Sequence, residues 1–227
     1  AGSAGKCKPE VVEFRPQQQF GVGGDPRSVA LGDVNEDGRL DAVTANIAVN
    51  TVSVLLGRGD GTFQTQQQFG AGGAPDSVAL GDVNGDGRLD VVTTNNAANT
   101  ASVLLGNGDG TFQAQRQFGV GGYPLWITLG DVNGDGRLDM VATGYSNTVS
   151  VLLGNGDGTF QTQQQFGVGT NSYSVTLGDV NGDGWLDVVT ANYISNTVSV
   201  LLGRGDGTFQ AAQQYGVGST SIAVKLG

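Results

Sequence analysis

The chain has 227 residues, of which 40 are glycine and only 14% are charged, and its net charge is −10 at pH 7. The length allows one large domain or two small ones, and the glycines have no three-residue period, which excludes collagen. The acidic balance argues against nucleic acid as a partner, because few basic side chains could neutralise phosphates. No apolar run approaches the roughly 18 residues of a membrane span.

The N-terminal region is predicted to have two parts. Residues 1–10 are small and polar, and we interpret them as a flexible lead-in. The single cysteine, Cys7, excludes an internal disulfide. The next segment, Val11–Phe20, carries two phenylalanines in register with Phe63 and Phe69. It is therefore predicted to be the last strand of an incomplete repeat unit.

A nine-residue acidic motif recurs along the rest of the chain. It begins at Asp33, Asp82, Asp131 and Asp179, at intervals of 49, 49 and 48 residues. A period of about 40 to 50 residues filled with short strands is typical of β-propeller blades. The sequence therefore predicts an all-β propeller with four complete four-stranded blades and a partial fifth. The predicted units are 28–69, 77–118, 126–166 and 174–215, with the partial unit at 221–227 and the whole array at 11–227.

Each unit is predicted to contain four strands, which we call A, B, C and D in chain order. In the first complete unit they are predicted at 28–31, 40–45, 51–56 and 62–69. Strands A to C are rich in apolar and β-branched residues, as buried strands should be. Strand D carries glutamines at 64, 66, 67 and 68, which is typical of a solvent-facing edge. The order from A to D is therefore predicted to run from the axis to the rim.

The acidic motif joins strands A and B, and its residue types predict a calcium loop. Oxygen-bearing side chains occupy positions 1, 3, 5 and 9, and glycine occupies position 6. Calcium takes six to eight oxygen ligands at about 2.3–2.6 Å, and by analogy with EF-hand loops position 7 would contribute its backbone carbonyl. We expect about four Ca²⁺ ions, one per A–B loop. The predicted ligands are Asp33, Asn35, Asp37, Arg39 and Asp41; Asp82, Asn84, Asp86, Arg88 and Asp90; Asp131, Asn133, Asp135, Arg137 and Asp139; and Asp179, Asn181, Asp183, Trp185 and Asp187.

The alternative for this motif is an Asp- and Gly-rich hairpin turn that holds no ion. Four copies in register favour the metal site, because a turn alone needs neither the asparagine nor a third aspartate.

The connections before strands A and C lie on the face opposite the calcium loops, and they vary between units. Aromatic residues gather there in the later units, at Tyr123, Trp126, Tyr145, Tyr173 and Tyr193. Aromatic side chains beside Asn and Ser are suited to a sugar or a protein ligand. The alternative is that these rings fill the interfaces between blades.

These residues resemble a known family. The run Gly-Asp-Val-Asn-Gly-Asp-Gly-Arg-Leu-Asp, with Val-Ser-Val-Leu-Leu-Gly-Asn-Gly-Asp-Gly-Thr-Phe after it, is similar to the FG-GAP, or VCBS, repeats. These repeats are similar to the calcium-binding blades of the integrin α-subunit head. The resemblance covers about residues 11–227 and implies an integrin-α-like propeller with Ca²⁺ in the A–B hairpins, held by the motif residues named above. The integrin head has seven blades, whereas this chain has four whole ones.

The two ends of the array leave three alternatives open. A D strand at the start and an A strand at the end are the right kind to complete one blade, but the B and C strands between them are missing. The chain is then a fragment of a six- or seven-bladed parent, or its end strands pair directly, or they engage another copy.

The predicted function is a secreted, calcium-stabilised binding or adhesion module for carbohydrate or extracellular protein. The sequence has no histidine and no isolated Ser or Cys beside a base, which argues against an enzyme. All-oxygen calcium sites favour an extracellular location, where calcium is abundant. The alternative function is a self-assembling extracellular repeat protein joined through its incomplete terminal blades.

Overall fold

The computed structural model describes residues 16–219 and 221–226, which form 16 strands in four antiparallel sheets of four. The first sheet has β1 (Pro26–Gly32), β2 (Asp41–Asn46), β3 (Thr51–Leu55) and β4 (Gln67–Gly70). The second has β5 (Pro75–Gly81), β6 (Asp90–Asn95), β7 (Thr100–Leu104) and β8 (Arg116–Gly119). The third has β9 (Pro124–Gly130), β10 (Asp139–Gly144), β11 (Thr148–Leu152) and β12 (Gln164–Gly167). The fourth has β13 (Ser172–Gly178), β14 (Asp187–Asn192), β15 (Thr197–Leu201) and β16 (Gln213–Gly216).

The four predicted units are thus confirmed as four sheets, and in each the spatial order of strands is their chain order. The B strands β2, β6, β10 and β14 are buried at every residue. The D strands are largely exposed. This gradient follows the composition, since B strands are rich in Val and Ala and D strands in Gln.

Strand D is shorter than predicted, because the ladder is interrupted. In the first sheet Val54 pairs with Gln67, whereas the isolated bridge beyond it joins Gly57 to Phe63. Between these two pairs the register shifts by one residue, so residues 62–66 form no continuous backbone ladder with strand C and pair only around that bridge. The prediction of a continuous strand over 62–69 was therefore wrong at its first half.

The core lies between successive sheets. Their A strands pack on one another, β1 on β5, β5 on β9 and β9 on β13. One cluster, for example, joins Val43 and Val54 of the first sheet to Val91 and Leu104 of the second, and all four side chains are fully buried. Each sheet is therefore stabilised by burying its apolar side chains against its neighbours in the array.

An edge-to-face pair of phenylalanine rings recurs at each joint near the rim. The ring centroids are 5.4 Å apart for Phe69–Phe112, 5.4 Å for Phe118–Phe160 and 5.2 Å for Phe166–Phe209. Phe20 packs on Phe63 in the same way, at 5.2 Å. Phe20 therefore occupies the place of a strand-D phenylalanine, although residues 16–20 form no strand.

The C-terminal segment continues the array at the other end. The N–H of Val224 donates to Ser174 Oγ at 3.3 Å. Matching bonds join the earlier units, from Val78 to Ser28 and from Ile127 to Ser77, each at 3.4 Å.

Neither end forms the predicted strand within the described residues. Residues 16–20 and 221–226 join no β-ladder. A strand D pairs with a strand C and a strand A with a strand B, and the described residues supply neither partner to these two segments. The predicted lead-in at 1–10, Cys7, the first half of the predicted strand at 11–15, and Gly227 lie outside the described residues. No helix in the described part of the chain is long and apolar enough to cross a membrane.

Candidate functional site

Each A–B loop folds around its first aspartate. In the second loop, Gly85 N–H donates to Asp82 Oδ1 at 2.7 Å and Gly87 N–H donates to Asp82 Oδ2 at 2.8 Å. Position 6 is left-handed in every loop, with φ of 80° at Gly38, 85° at Gly87, 80° at Gly136 and 88° at Gly184. Glycine adopts this conformation without a steric cost, which is why it recurs there.

The oxygens of positions 1, 3 and 5 come together in the loop. The Asp86 N–H donates both to Asp82 Oδ1 at 3.2 Å and to Asn84 Oδ1 at 3.0 Å. Asn84 Nδ2 in turn donates to Asp86 Oδ2 at 3.0 Å. The other three loops repeat the convergence on one N–H. Positions 1 and 3 therefore aim their oxygens at one point.

The aspartate at position 9 has a structural task. Asp90 is 0% exposed, and its two oxygens accept the N–H of Val83 at 2.9 Å and the N–H of Gly106 at 2.8 Å. It thereby ties the A–B loop to the turn after strand C. Burial raises the pKa of the Asp90 carboxyl to about 6, against the lowering by these two N–H groups. Burial likewise raises the pKa of Asp41 and of Asp139.

The donor set of the loops fits a hard cation. All candidate ligands are carboxylate, amide or carbonyl oxygens, which suit calcium, and a carboxylate oxygen that accepts one N–H retains a second lone pair. Within residues 16–219 and 221–226, however, no three acidic, histidine or cysteine side chains lie close enough together to hold a metal ion. The reason is visible at position 9, where Asp90 turns both oxygens towards backbone N–H groups.

In two of the four loops the side chain at position 7 reaches the preceding loop, a role that sequence reasoning missed. Arg88 Nε lies 3.7 Å from Glu36 Oε1 of the preceding loop. In the fourth loop, Trp185 covers Gly134 of the third, where an added β-carbon would lie 2.8 Å from the indole. The change from Arg to Trp at an otherwise repeated position was the available signal.

On the opposite face, the structure brings the four tyrosine candidates into one row, with Trp126 beside it. The ring centroids are 6.3 Å apart for Tyr123–Tyr145, 5.5 Å for Tyr145–Tyr173 and 5.0 Å for Tyr173–Tyr193. Trp126 joins Tyr145 and Tyr173 in lining a cavity of about 420 Å³. Tyr123, Trp126 and Tyr145 are 59%, 41% and 43% exposed, so these three rings are accessible to a ligand.

The cavity is bordered by equivalent residues of successive units. Its lining includes Arg27, Asp76, Leu125, Tyr173 and Ile222, which are spaced by 49, 49, 48 and 49 residues. Each is the residue at one repeat position near the start of strand A. The repeat provides a common frame there, yet the five side chains include a cation, an anion, two aliphatic groups and a phenol.

Two charged residues of the lining were missed by the sequence analysis. Asp76 is half-buried, and its burial raises its pKa, while the nearby Arg27 guanidinium lowers it. Arg27 also donates to Asp25 Oδ2 at 3.1 Å. Tyr145 and Tyr173 share a hydroxyl–hydroxyl hydrogen bond of 3.1 Å, which, with burial, raises the pKa of Tyr173 to about 12.

Comparison with known proteins agrees with the four repeats. The model of the FG-GAP-like repeat matches residues 33–93, 82–142, 131–190 and 179–226. A search of curated proteins gives no significant match.

Solved structures share the fold at low sequence identity. A functionally unknown protein from Desulfotomaculum acetoxidans DSM 771 superposes with a TM-score of 0.65 and 14% identity, over 88% of this chain and 58% of that one. BBS1N, solved in complex with ARL6DN and soaked with lead, superposes with a TM-score of 0.61 and 9% identity, over 88% of this chain and 59% of that one. The chain therefore spans less than two thirds of the length of the solved structures it matches.

Proposed function

Because the chain belongs to the FG-GAP-like repeat family, we propose that it is a secreted, calcium-stabilised, non-catalytic binding or adhesion module for carbohydrate or extracellular protein. The observation that carries this proposal is the exposed aromatic row beside the 420 Å³ cavity. A concave site with aromatic walls and a few convergent polar groups is the usual form of a ligand site. The calcium loops, on the other face, act as structural supports.

The architecture behind this proposal is a β-propeller with a partial fifth blade. Two features support it. Equivalent residues from five successive units border one cavity, as they would around a common axis. Phe20 and Val224 also make the contacts of a strand D and a strand A without belonging to a sheet. In this arrangement residues 16–20 and 221–226 contribute the outer and inner parts of the fifth blade.

The test of the binding function is an array of immobilised glycans and extracellular matrix proteins, probed with the whole chain in millimolar calcium. We expect saturable binding to at least one class, weakened by Tyr145→Ala together with Tyr173→Ala. Absence of saturable binding to every glycan and protein on the array would contradict the proposal.

A specific observation favours self-assembly as the second candidate function. The first sheet exposes Val29 at 61%, whereas its equivalents Val78 and Ile127 are 7% and 3% exposed. The fourth sheet exposes Val180 at 45%, whereas its equivalent Val83 is 3% exposed. The two ends of the array thus present the same apolar faces that join the internal sheets.

These two faces are complementary. At the internal joints the equivalent of Val180 in one sheet packs in the same cluster as the equivalent of Val29 in the next, for example Val83 with Ile127. Contact between copies would be head to tail, giving a ring or a fibre. Light scattering in calcium separates the two functions. A concentration-dependent oligomer that Val29→Lys dissolves supports assembly, and a monomer at every concentration contradicts it.

A further inference from the structure

The third repeat unit departs from the repeat at three neighbouring positions beside the cavity. The first is Trp126, which stands where the other complete units have serine. Those serines are Ser28, Ser77 and Ser174. Each accepts an N–H from the next unit, of Val78, Ile127 and Val224 respectively, at 3.3–3.4 Å. Trp126 has no such acceptor, so this unit lacks a bond that links the other units.

The second departure is Gly144, which stands where the other complete units have a buried asparagine. Asn46, Asn95 and Asn192 are 0% exposed, and each donates to a serine of strand C at 2.7–2.8 Å. At Gly144 a side chain would clash with the carbonyl of Tyr123. Tyr145 N–H donates to that carbonyl at 3.2 Å, as the equivalent N–H groups do in the other units. What this unit loses is therefore the asparagine–serine hydrogen bond.

The third departure is an unsatisfied hydroxyl behind Trp126. Thr143 pairs with Trp126 across strands A and B, is 2% exposed, and within the described ranges is the one residue whose buried side-chain polar atom lacks a hydrogen bond. In the second unit the equivalent Thr94 Oγ1 accepts the Ser77 N–H at 3.0 Å. Unsatisfied buried groups are rare and destabilising, so this unit bears a cost that the second unit does not.

At Trp126, Gly144 and Thr143 the third unit lacks three hydrogen bonds that other units form. In exchange it has an accessible aromatic surface. Trp126, Tyr145 and Tyr173 line the cavity. Asp76 and Arg27, also in the lining, provide an acceptor and a donor. A pyranose ring has the matching chemistry, because its C–H face packs on aromatic rings while its hydroxyl edge requires hydrogen bonds. The volume lies in the range of about 300–1,000 Å³ typical of small-ligand sites.

The charges at the lining argue against an anionic ligand. Arg27 is ion-paired with Asp25 at 3.1 Å, and the half-buried Asp76 lies near the same guanidinium, so two carboxylates accompany one cation. An anionic ligand would be repelled by this excess of negative charge, whereas the hydroxyls of a neutral ligand would not. We propose that the cavity beside Trp126 is a binding site for a neutral saccharide, with one sugar ring stacked on Trp126 and its hydroxyls bonded to Asp76 and Arg27.

This inference rests on the proposed binding function, and the experiment separates the two. Isothermal titration calorimetry measures binding of neutral cello-, xylo-, manno- and chito-oligosaccharides to the whole chain in calcium. Trp126→Ser restores the residue of the other units and is expected to fold. We expect it to weaken saccharide affinity by about tenfold or more. Asp76→Asn, which keeps the shape but changes the acceptor, is expected to weaken it by a smaller factor.

Tyr215→Ser is the matched control, because Tyr215 is an exposed aromatic residue, 52% accessible, on the outer strand of the fourth sheet and outside the cavity. It should bind as the unchanged protein does. Saccharide binding that survives Trp126→Ser overturns the assigned site and leaves the binding function standing. Binding of an extracellular protein with no saccharide overturns the ligand class alone, and no binding of either kind overturns both proposals.

Discussion

The hydroxyl oxygens of Tyr145 and Tyr173 lie 3.1 Å apart, and their rings meet edge to face with centroids 5.5 Å apart. The two residues belong to the third and fourth repeat units, so the bond spans a joint between sheets at the mouth of the cavity. Elsewhere these joints are made by aliphatic packing, by edge-to-face phenylalanine pairs and by serine–backbone bonds. The tyrosine pair therefore fixes the relative position of two walls of the candidate ligand site.

The titration of Tyr173 tests this contact. Its pKa is raised to about 12, first by the hydrogen bond with Tyr145 and then by burial, from an unfolded value of about 10. Since the neutral form is favoured in the folded state, the stability it contributes is complete below pH 10 and is lost as the pH rises towards 12. Phenolate absorbance during alkaline titration should show one tyrosine titrating near pH 12. Tyr145→Phe should return it towards 10, and an unchanged titration curve in that variant would exclude the hydrogen bond.

Asp90 tests the tie between the A–B loop and the turn after strand C. Asp90→Asn retains one acceptor oxygen, so one of the two buried N–H groups of Val83 and Gly106 loses its partner. We expect a loss of about 1–3 kcal/mol in the free energy of unfolding, measured by urea denaturation in chelator to exclude effects of metal. Asp109→Asn is the control, because the oxygen of Asp109 that accepts from Thr111 is retained and the residue is solvent-exposed. Equal stability of the two variants would contradict the structural role of Asp90.

The packing of one unit on the next is tested by a pair of equivalent glycines. Gly61 and Gly158 have φ of 88° and 77°, so alanine is strained at both by about 1–2 kcal/mol. At Gly158 the new β-carbon would also lie 2.8 Å from Leu105 of the preceding unit, whereas at Gly61 nothing lies within 4 Å. We expect Gly158→Ala to cost about 1–3 kcal/mol more than Gly61→Ala. Equal melting temperatures would show that Leu105 does not pack there.

Much of the fold was predictable, because each repeat unit has the same local pattern of residue types. The period located four sheets, and the contrast between Val-rich and Gln-rich strands gave their order from buried to exposed. The prediction failed where distant register decides, as in the one-residue shift between Val54–Gln67 and Gly57–Phe63 that shortens strand D. It also failed at 222–226, where a strand-like sequence lacks a neighbour to pair with.

The candidate site was predictable only in part. The aromatic residues were found from their clustering in the later units, and the structure places the four tyrosines in one row with Trp126 lining the cavity beside them. Arg27 and Asp76 were missed, because their approach depends on how separate units surround the cavity. The two backbone bonds of Asp90 were also missed, since its partner Gly106 is 16 residues away and glycine gives no sequence signal for an N–H donor.

Calcium titration of the metal-stripped protein by calorimetry tests the central claim, that the four A–B loops are oxygen cages for Ca²⁺ that stabilise the array. We expect about four ions per chain, with dissociation constants of about 10⁻⁴ to 10⁻⁶ M and a rise in melting temperature on saturation. Asp86→Ala should bind about three. Absence of saturable heat, or an unchanged stoichiometry and calcium-dependent melting temperature in Asp86→Ala, would contradict the claim.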